Sequence, residues 1–234
     1  MNGRSIKAGL LCISLMILGG SMSACAMGDK TSWKEEVLLH DGKKIIVERS
    51  QTYGGYPTIE SRERDVLDEE WIFRIPGSDR KVVWKSDFRR PPEGDSLMLL
   101  QLNFLNGVPY IATSPAGCLA YNHWKRPNPP YVFFTYDGKV WKQISLSTFP
   151  AVFKESNVVV GGRSNPKKQA GTTLSVDTIK EENRNLELYL QRIVREPLKA
   201  GAMGVSCPDY SSPRYMSPKA PNPIEPQPKD AGSK

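Results

Sequence analysis

From Val37 to Leu146 the chain repeats one local pattern: an apolar run, a glycine-bearing turn and a second apolar run. Val37-Leu38-Leu39 leads through His40-Asp41-Gly42 into Ile45-Ile46-Val47. Trp71 to Ile75 turns at Pro76-Gly77-Ser78-Asp79 into Val82-Val83-Trp84, and Leu97 to Phe104 turns at Asn106-Gly107 into Tyr110-Ile111-Ala112. Tyr131 to Tyr136 then turns at Asp137-Gly138 into Val140 to Leu146. Asp-Gly and Asn-Gly between apolar runs favour tight hairpins, because the commonest hairpin turn needs positive φ at its central residues. Consecutive hairpins build antiparallel sheet, which limits the fold more than any other feature of the sequence.

Alternation refines this reading. Leu100, Leu102 and Phe104 fall on one face of their strand, with Gln101 and Asn103 on the other. Ile144 and Leu146 likewise oppose Gln143 and Ser145, which implies a sheet with one wet face. The turn glycines 42, 77, 107 and 138 lie 35, 30 and 31 residues apart. The units share turn chemistry but no side-chain signature, and they would fill at most about two four-stranded propeller blades. The expected fold is mainly β, an antiparallel meander of hairpins closed as a sandwich or an open barrel, with one C-terminal helix.

That helix belongs to the region after Gly162, where residues 163–173 read as a loop. Thr178 and Glu181 have capping-box spacing, and Ile179, Leu186, Leu190 and Ile193 recur on one helical face before Pro197. Asn183 and Asn185 weaken the first turns, so a start near Leu186 is the alternative. From Pro208 onward seven prolines occur in the last 27 residues, with almost no aliphatic side chains. A stretch of that composition cannot offset its ordering entropy and is expected to be a disordered tail, 208–234.

The N-terminus carries an export pattern. Arg4 and Lys7 precede an apolar run from Ala8 to Leu18, and small residues follow. The run is too short for a membrane span, which needs roughly 20 residues. Met22-Ser23-Ala24-Cys25 resembles the lipobox of bacterial lipoproteins, although Met22 stands where that family usually has leucine. The resemblance implies a signal peptide over 1–24, a lipid on Cys25, a short tether over 25–32, and outer-membrane sorting from Ala26. Ala24-Cys25-Ala26 also fits an ordinary signal-peptidase cut, which would free a soluble periplasmic protein at Met27.

Cys12 leaves with the leader, so Cys118 and Cys207 remain as an even pair in an oxidising compartment. They are expected to form one disulfide, two buried thiols being the alternative. Loss of Arg4 and Lys7 takes the formal charge from +7 to +5, spread in small clusters with the acidic run Asp65 to Glu70 between them. A charged strand edge accounts for that run, and nucleic acid is an improbable partner for such a chain in the envelope.

The candidate site residues cluster in Cys118 to Tyr131. Tyr121, Trp124 and Tyr131 offer flat faces, His123 a titratable ring, and Asn122, Arg126 and Asn128 directional hydrogen bonds. Such a set fits a glycan or peptide ligand, or else the packing of a proline-braced loop. His123 lacks a nucleophile motif of the Gly-x-Ser-x-Gly type, with only Ser114 near in sequence, and His40 reads as a surface residue beside a turn. One histidine and two paired cysteines are short of a zinc set. No catalytic residue, metal or cofactor is expected.

Ser114-Pro115-Ala116-Gly117-Cys118-Leu119-Ala120-Tyr121-Asn122, Arg126-Pro127-Asn128-Pro129-Pro130-Tyr131 and the stretch from Phe133 to Trp141 resemble a family of uncharacterised exported proteins of proteobacteria. The likeness spans most of 33–207 and implies one coherent domain, with no activity, cofactor or partner attached. The expected function is that of an outer-membrane lipoprotein facing the periplasm, a non-catalytic binding or accessory module for an envelope protein or glycan. The alternative is an envelope hydrolase with a site around His123.

Overall fold

The computed structural model describes residues 30–54, 65–89, 92–161, 170–199 and 207–210. The leader, Cys25 and residues 211–234 lie outside them. The elements are β1 (Lys30–Leu38), β2 (Lys44–Gly54), β3 (Asp65–Arg74), β4 (Lys81–Asp87), β5 (Leu97–Leu105), β6 (Val108–Pro115), α1 (Gly117–His123), β7 (Val132–Tyr136), β8 (Trp141–Ile144), β9 (Thr173–Leu174), α2 (Val176–Asn183) and α3 (Leu188–Gln191). The fold is mainly β with helix at the C-terminal side, as the hairpin signals predict.

The strands form two sheets, ordered β4-β3-β2-β1-β9 and β5-β6-β7-β8. Each hairpin turn falls where the glycines place it. At Asn106-Gly107 both residues have positive φ, 52° and 76°, as the tight turn requires. The sheets pack over one core in which Val37, Val47, Trp71 and Trp84 meet Leu97, Leu102, Ile111 and Phe134. This is the sandwich rather than the open barrel. Side chains join its edges: Trp141 Nε1 donates to the Val83 carbonyl at 2.8 Å, and Arg80 donates to the Gly138 carbonyl.

Several local expectations change. A β-bulge between Leu99 and Gln101 turns Leu100 away from Leu102 and Phe104, so these leucines do not share a face. Gln101 and Asn103 are buried rather than wet, because the chain after β8 covers that face of the sheet. There Leu100, Phe133, Phe149, Phe153 and Ile193 form a second core. The second sheet is therefore covered on both faces, while Lys142 and Gln143 on β8 remain exposed.

Strand β3 lies between β2 and β4 and is no edge, so the acidic run does not mark one. Lys30–Ser32, expected in the tether, already belong to β1. Thr173, expected in the loop, opens β9, the parallel partner of β1. The C-terminal helix is split in two. Ser175 rather than Thr178 caps α2, accepting from the Thr178 N–H at 3.2 Å. Asn183 ends α2, its buried amide accepting from Val160 N at 3.1 Å and donating to the Val158 carbonyl at 2.7 Å.

Candidate functional site

A cleft of about 360 Å³ opens where the two sheets and the C-terminal segment meet. The β1–β2 turn brings His40, β5 brings Gln101 and Asn103, the chain at 152–157 forms one wall, and α2 supplies Val176, Ile179 and Lys180. Hairpin geometry explains the first contact. The turn closes through Leu39 N to the Lys43 carbonyl at 2.8 Å, and the His40 N–H then reaches Asn103 Oδ1 at 2.8 Å. The His40 ring stands edge-on to Phe153, with centroids 4.9 Å apart. His40 is thus exposed, as expected of a turn residue, and also lines the cleft.

Polar groups converge on a mostly apolar cavity, the usual chemistry of a small-molecule site. Gln101 is only 1% exposed. Its Nε2 donates to the Glu155 carbonyl at 2.6 Å, and its Oε1 has no partner. A buried carbonyl oxygen left unpaired costs about 1–3 kcal/mol. Asn103 spends Oδ1 on His40. At the rim Lys154, Glu155 and Lys180 are exposed, and Glu155 faces Arg192 at 4.0 Å.

The wall is held from both ends. Asn157 Oδ1 accepts the Leu102 N–H at 2.9 Å, while its Nδ2 donates to the Leu102 and Leu38 carbonyls at 2.7 and 2.9 Å. One amide therefore ties β5 to the end of β1. Ser156 Oγ donates to the Leu190 carbonyl at 2.7 Å, and Ile193 N donates to the Lys154 carbonyl at 2.7 Å.

Beyond Asn157 the same segment covers a buried ion triad. Glu35, Arg49 and Glu69 lie on neighbouring strands and are 0%, 2% and 4% exposed. Arg49 donates from Nη1 to Glu35 Oε1 at 3.0 Å and from Nη2 to Glu69 Oε2 at 2.9 Å. The strap is fastened to it: Arg49 Nη1 donates to the Val159 carbonyl at 2.6 Å, and Val159 N donates to Glu35 Oε2 at 2.9 Å. Register places Arg49 opposite both Trp33 and Trp71. The indole nitrogens donate to Glu35 and Glu69. Burial pushes the Glu35 carboxyl upward, against the pull of Arg49 and its hydrogen bonds.

The predicted site residues sit elsewhere and serve other contacts. Tyr131 is buried in the second core, its hydroxyl donating to the Tyr189 carbonyl at 2.7 Å, and burial raises its pKa to about 12. Trp124 packs against the main core and donates to the Asp95 carbonyl at 2.8 Å. Cys118 and Cys207 form the disulfide, with Cα atoms 5.1 Å apart. Arg126 grips the segment carrying Cys207, donating to the Cys207 and Pro208 carbonyls at 3.1 and 3.0 Å, and lies over Tyr121 at 5.1 Å. His123 is exposed, 5.7 Å from the Trp124 ring, while Ser114 is buried. The loop therefore brings Tyr121 and Arg126 together and leaves His123 apart from Ser114 in exposure.

Sequence reasoning missed the triad, yet a signal was present. Glu35 shares strand parity with Trp33 and Val37, Arg49 with Val47 and Tyr53, and Glu69 with Trp71 and Phe73. Opposite charges within three apolar stripes mark a buried network. Among the described residues no cluster of His, Cys, Asp and Glu could hold a metal ion. Comparison with protein-family models, curated proteins and solved structures finds no match for this chain.

Proposed function

We infer that the chain is an exported envelope lipoprotein, anchored through Cys25, whose β domain is a non-catalytic binding module. The cleft beside His40 is its working surface. The observation that carries this reading is the cleft itself, a concavity of about 360 Å³ whose apolar walls at Leu38, Val152 and Ile179 are met by His40, Asn103 and Lys180. The export pattern before Lys30 and the proteobacterial resemblance support the compartment.

Val152, 48% exposed on the cleft lining, suits a photo-crosslinking side chain in intact cells. Crosslinking from Val152 to an envelope component, with none from Val140 at the β7–β8 turn, is the expected result. Equal labelling from both positions removes the cleft from the reading. The intact mass of the mature N-terminus tests the address, with a diacylated Cys25 expected.

A further inference from the structure

The cleft lining carries positive charge beside apolar walls. Lys154 comes from the 152–157 wall and Lys180 from α2, and both are exposed. Neither has an ion-pair partner among the described residues. Among the described lining residues Glu155 is the one acid, and it faces Arg192 at 4.0 Å. Acids near the lining in sequence are answered by bases of their own: Glu36 by Lys44 at 3.1 Å, Asp41 by Lys43 at 2.9 Å and Glu181 by Arg184 at 2.7 Å. Asp177 stands in the first turn of α2, where the helix end favours a negative charge. Two ammonium groups are left over, on flexible stems that can swing toward one anion.

The walls beside them are hydrocarbon that water still reaches. Leu38 and Val176 are half-buried, and Val152 is 48% exposed. Covering these side chains with an apolar body is favourable, and a small hydrophilic ion gains nothing from them. A neutral apolar molecule in turn gains nothing from the lysines. The lining thus selects for a molecule with both parts.

We propose that this cleft binds a small amphipathic anion, a short acyl or alkyl chain ending in a carboxylate or phosphate held between Lys154 and Lys180. The proposal rests on the binding-module reading above and names its ligand class.

The test is a titration of the full-length protein in a neutral detergent, followed through the methyl resonances of Leu38, Val152 and Val176. The probes are hexanoate and hexyl phosphate. Hexanamide keeps the chain without the charge, while acetate and inorganic phosphate keep the charge without the chain. Saturable shifts with an anionic probe are expected, with every control at least about tenfold weaker. Response to hexanoate alone assigns a fatty-acid-like head, and response to hexyl phosphate alone a phospholipid-like one. Lys154→Gln and Lys180→Gln should each weaken the anion about threefold, and the double variant about tenfold. Both positions are exposed, so the thermal unfolding midpoint should stay put. Raising salt from about 0.01 to 1 M should weaken the anion as well. Failure of both anions to saturate, a control binding as tightly as the anion, or unchanged affinity in the double variant overturns the proposal. If the anions fail while the Val152 crosslink in cells persists, the ligand class falls and the binding module stands. If both are lost, both fall.

Discussion

Arg49 and Trp71 face each other directly across β2 and β3, with the guanidinium carbon 4.1 Å from the centre of the indole ring. Trp33 takes the opposite side at 4.9 Å. The cation is thus enclosed by two aromatic rings and two carboxylates, with Nε 2.8 Å from Glu69 Oε1. Each glutamate spends its oxygens on several donors, so the network stands or falls as a unit.

Arg49→Met leaves two buried carboxylates without their counter-ion. The expected loss is about 3–5 kcal/mol in urea unfolding, as for other broken buried pairs. Arg49→Lys should remain clearly destabilised, because a single ammonium cannot fork to both glutamates and the Val159 carbonyl. Wild-type stability in Arg49→Met refutes the role given to the triad.

Glu35 supplies a pH dependence of defined sign. Its carboxyl is raised above the ordinary 4.5 by burial, so the folded state holds its proton more firmly than the unfolded chain does. Its contribution is fully present below 4.5 and is lost as pH rises through the folded value. The stability of wild type relative to Glu35→Gln should therefore grow as pH falls from 8 toward 4.5 in matched urea titrations. A gap that narrows on acidification contradicts this.

Asn157→Ala removes three hydrogen bonds that join β1 to β5. The Leu102 N–H and two carbonyls lose their partner, for an expected cost of about 1–3 kcal/mol. Hydrogen exchange at Leu102 should quicken more than at Ile111, which lies in the centre of the same sheet. Unchanged exchange at Leu102 rules out the bracket.

Reduction tests the Cys118–Cys207 link, which spans 89 residues. Chain entropy alone sets its worth at about 4–5 kcal/mol. Arg126 and Asn122 hold the 207–208 backbone independently. The loss on reduction should accordingly be smaller in wild type than in Arg126→Ala, read from unfolding with and without reductant.

The hairpins were legible because their turn chemistry is local. Asp41-Gly42 and Asn106-Gly107 act within four residues, and no distant partner can override the need for positive φ. The bulge at Leu100 was hidden, since an extra residue leaves no mark in an alternating apolar run. The triad joins positions 14 and 20 residues apart and becomes visible only once register is known. The cleft was least legible of all. Its walls come from a turn, a strand, a strap and a helix, and no short window of sequence holds more than a part.

Strand β1 has a last consequence. It starts at Lys30, five positions after the proposed lipid attachment, and ends at Leu38 on the cleft lining. At about 3.3 Å per residue the strand alone is a rigid rod of roughly 26 Å. Were Cys25 to carry the proposed lipid, the cleft would lie at the end of β1 remote from the anchor, a full strand length along the sheet from Lys30.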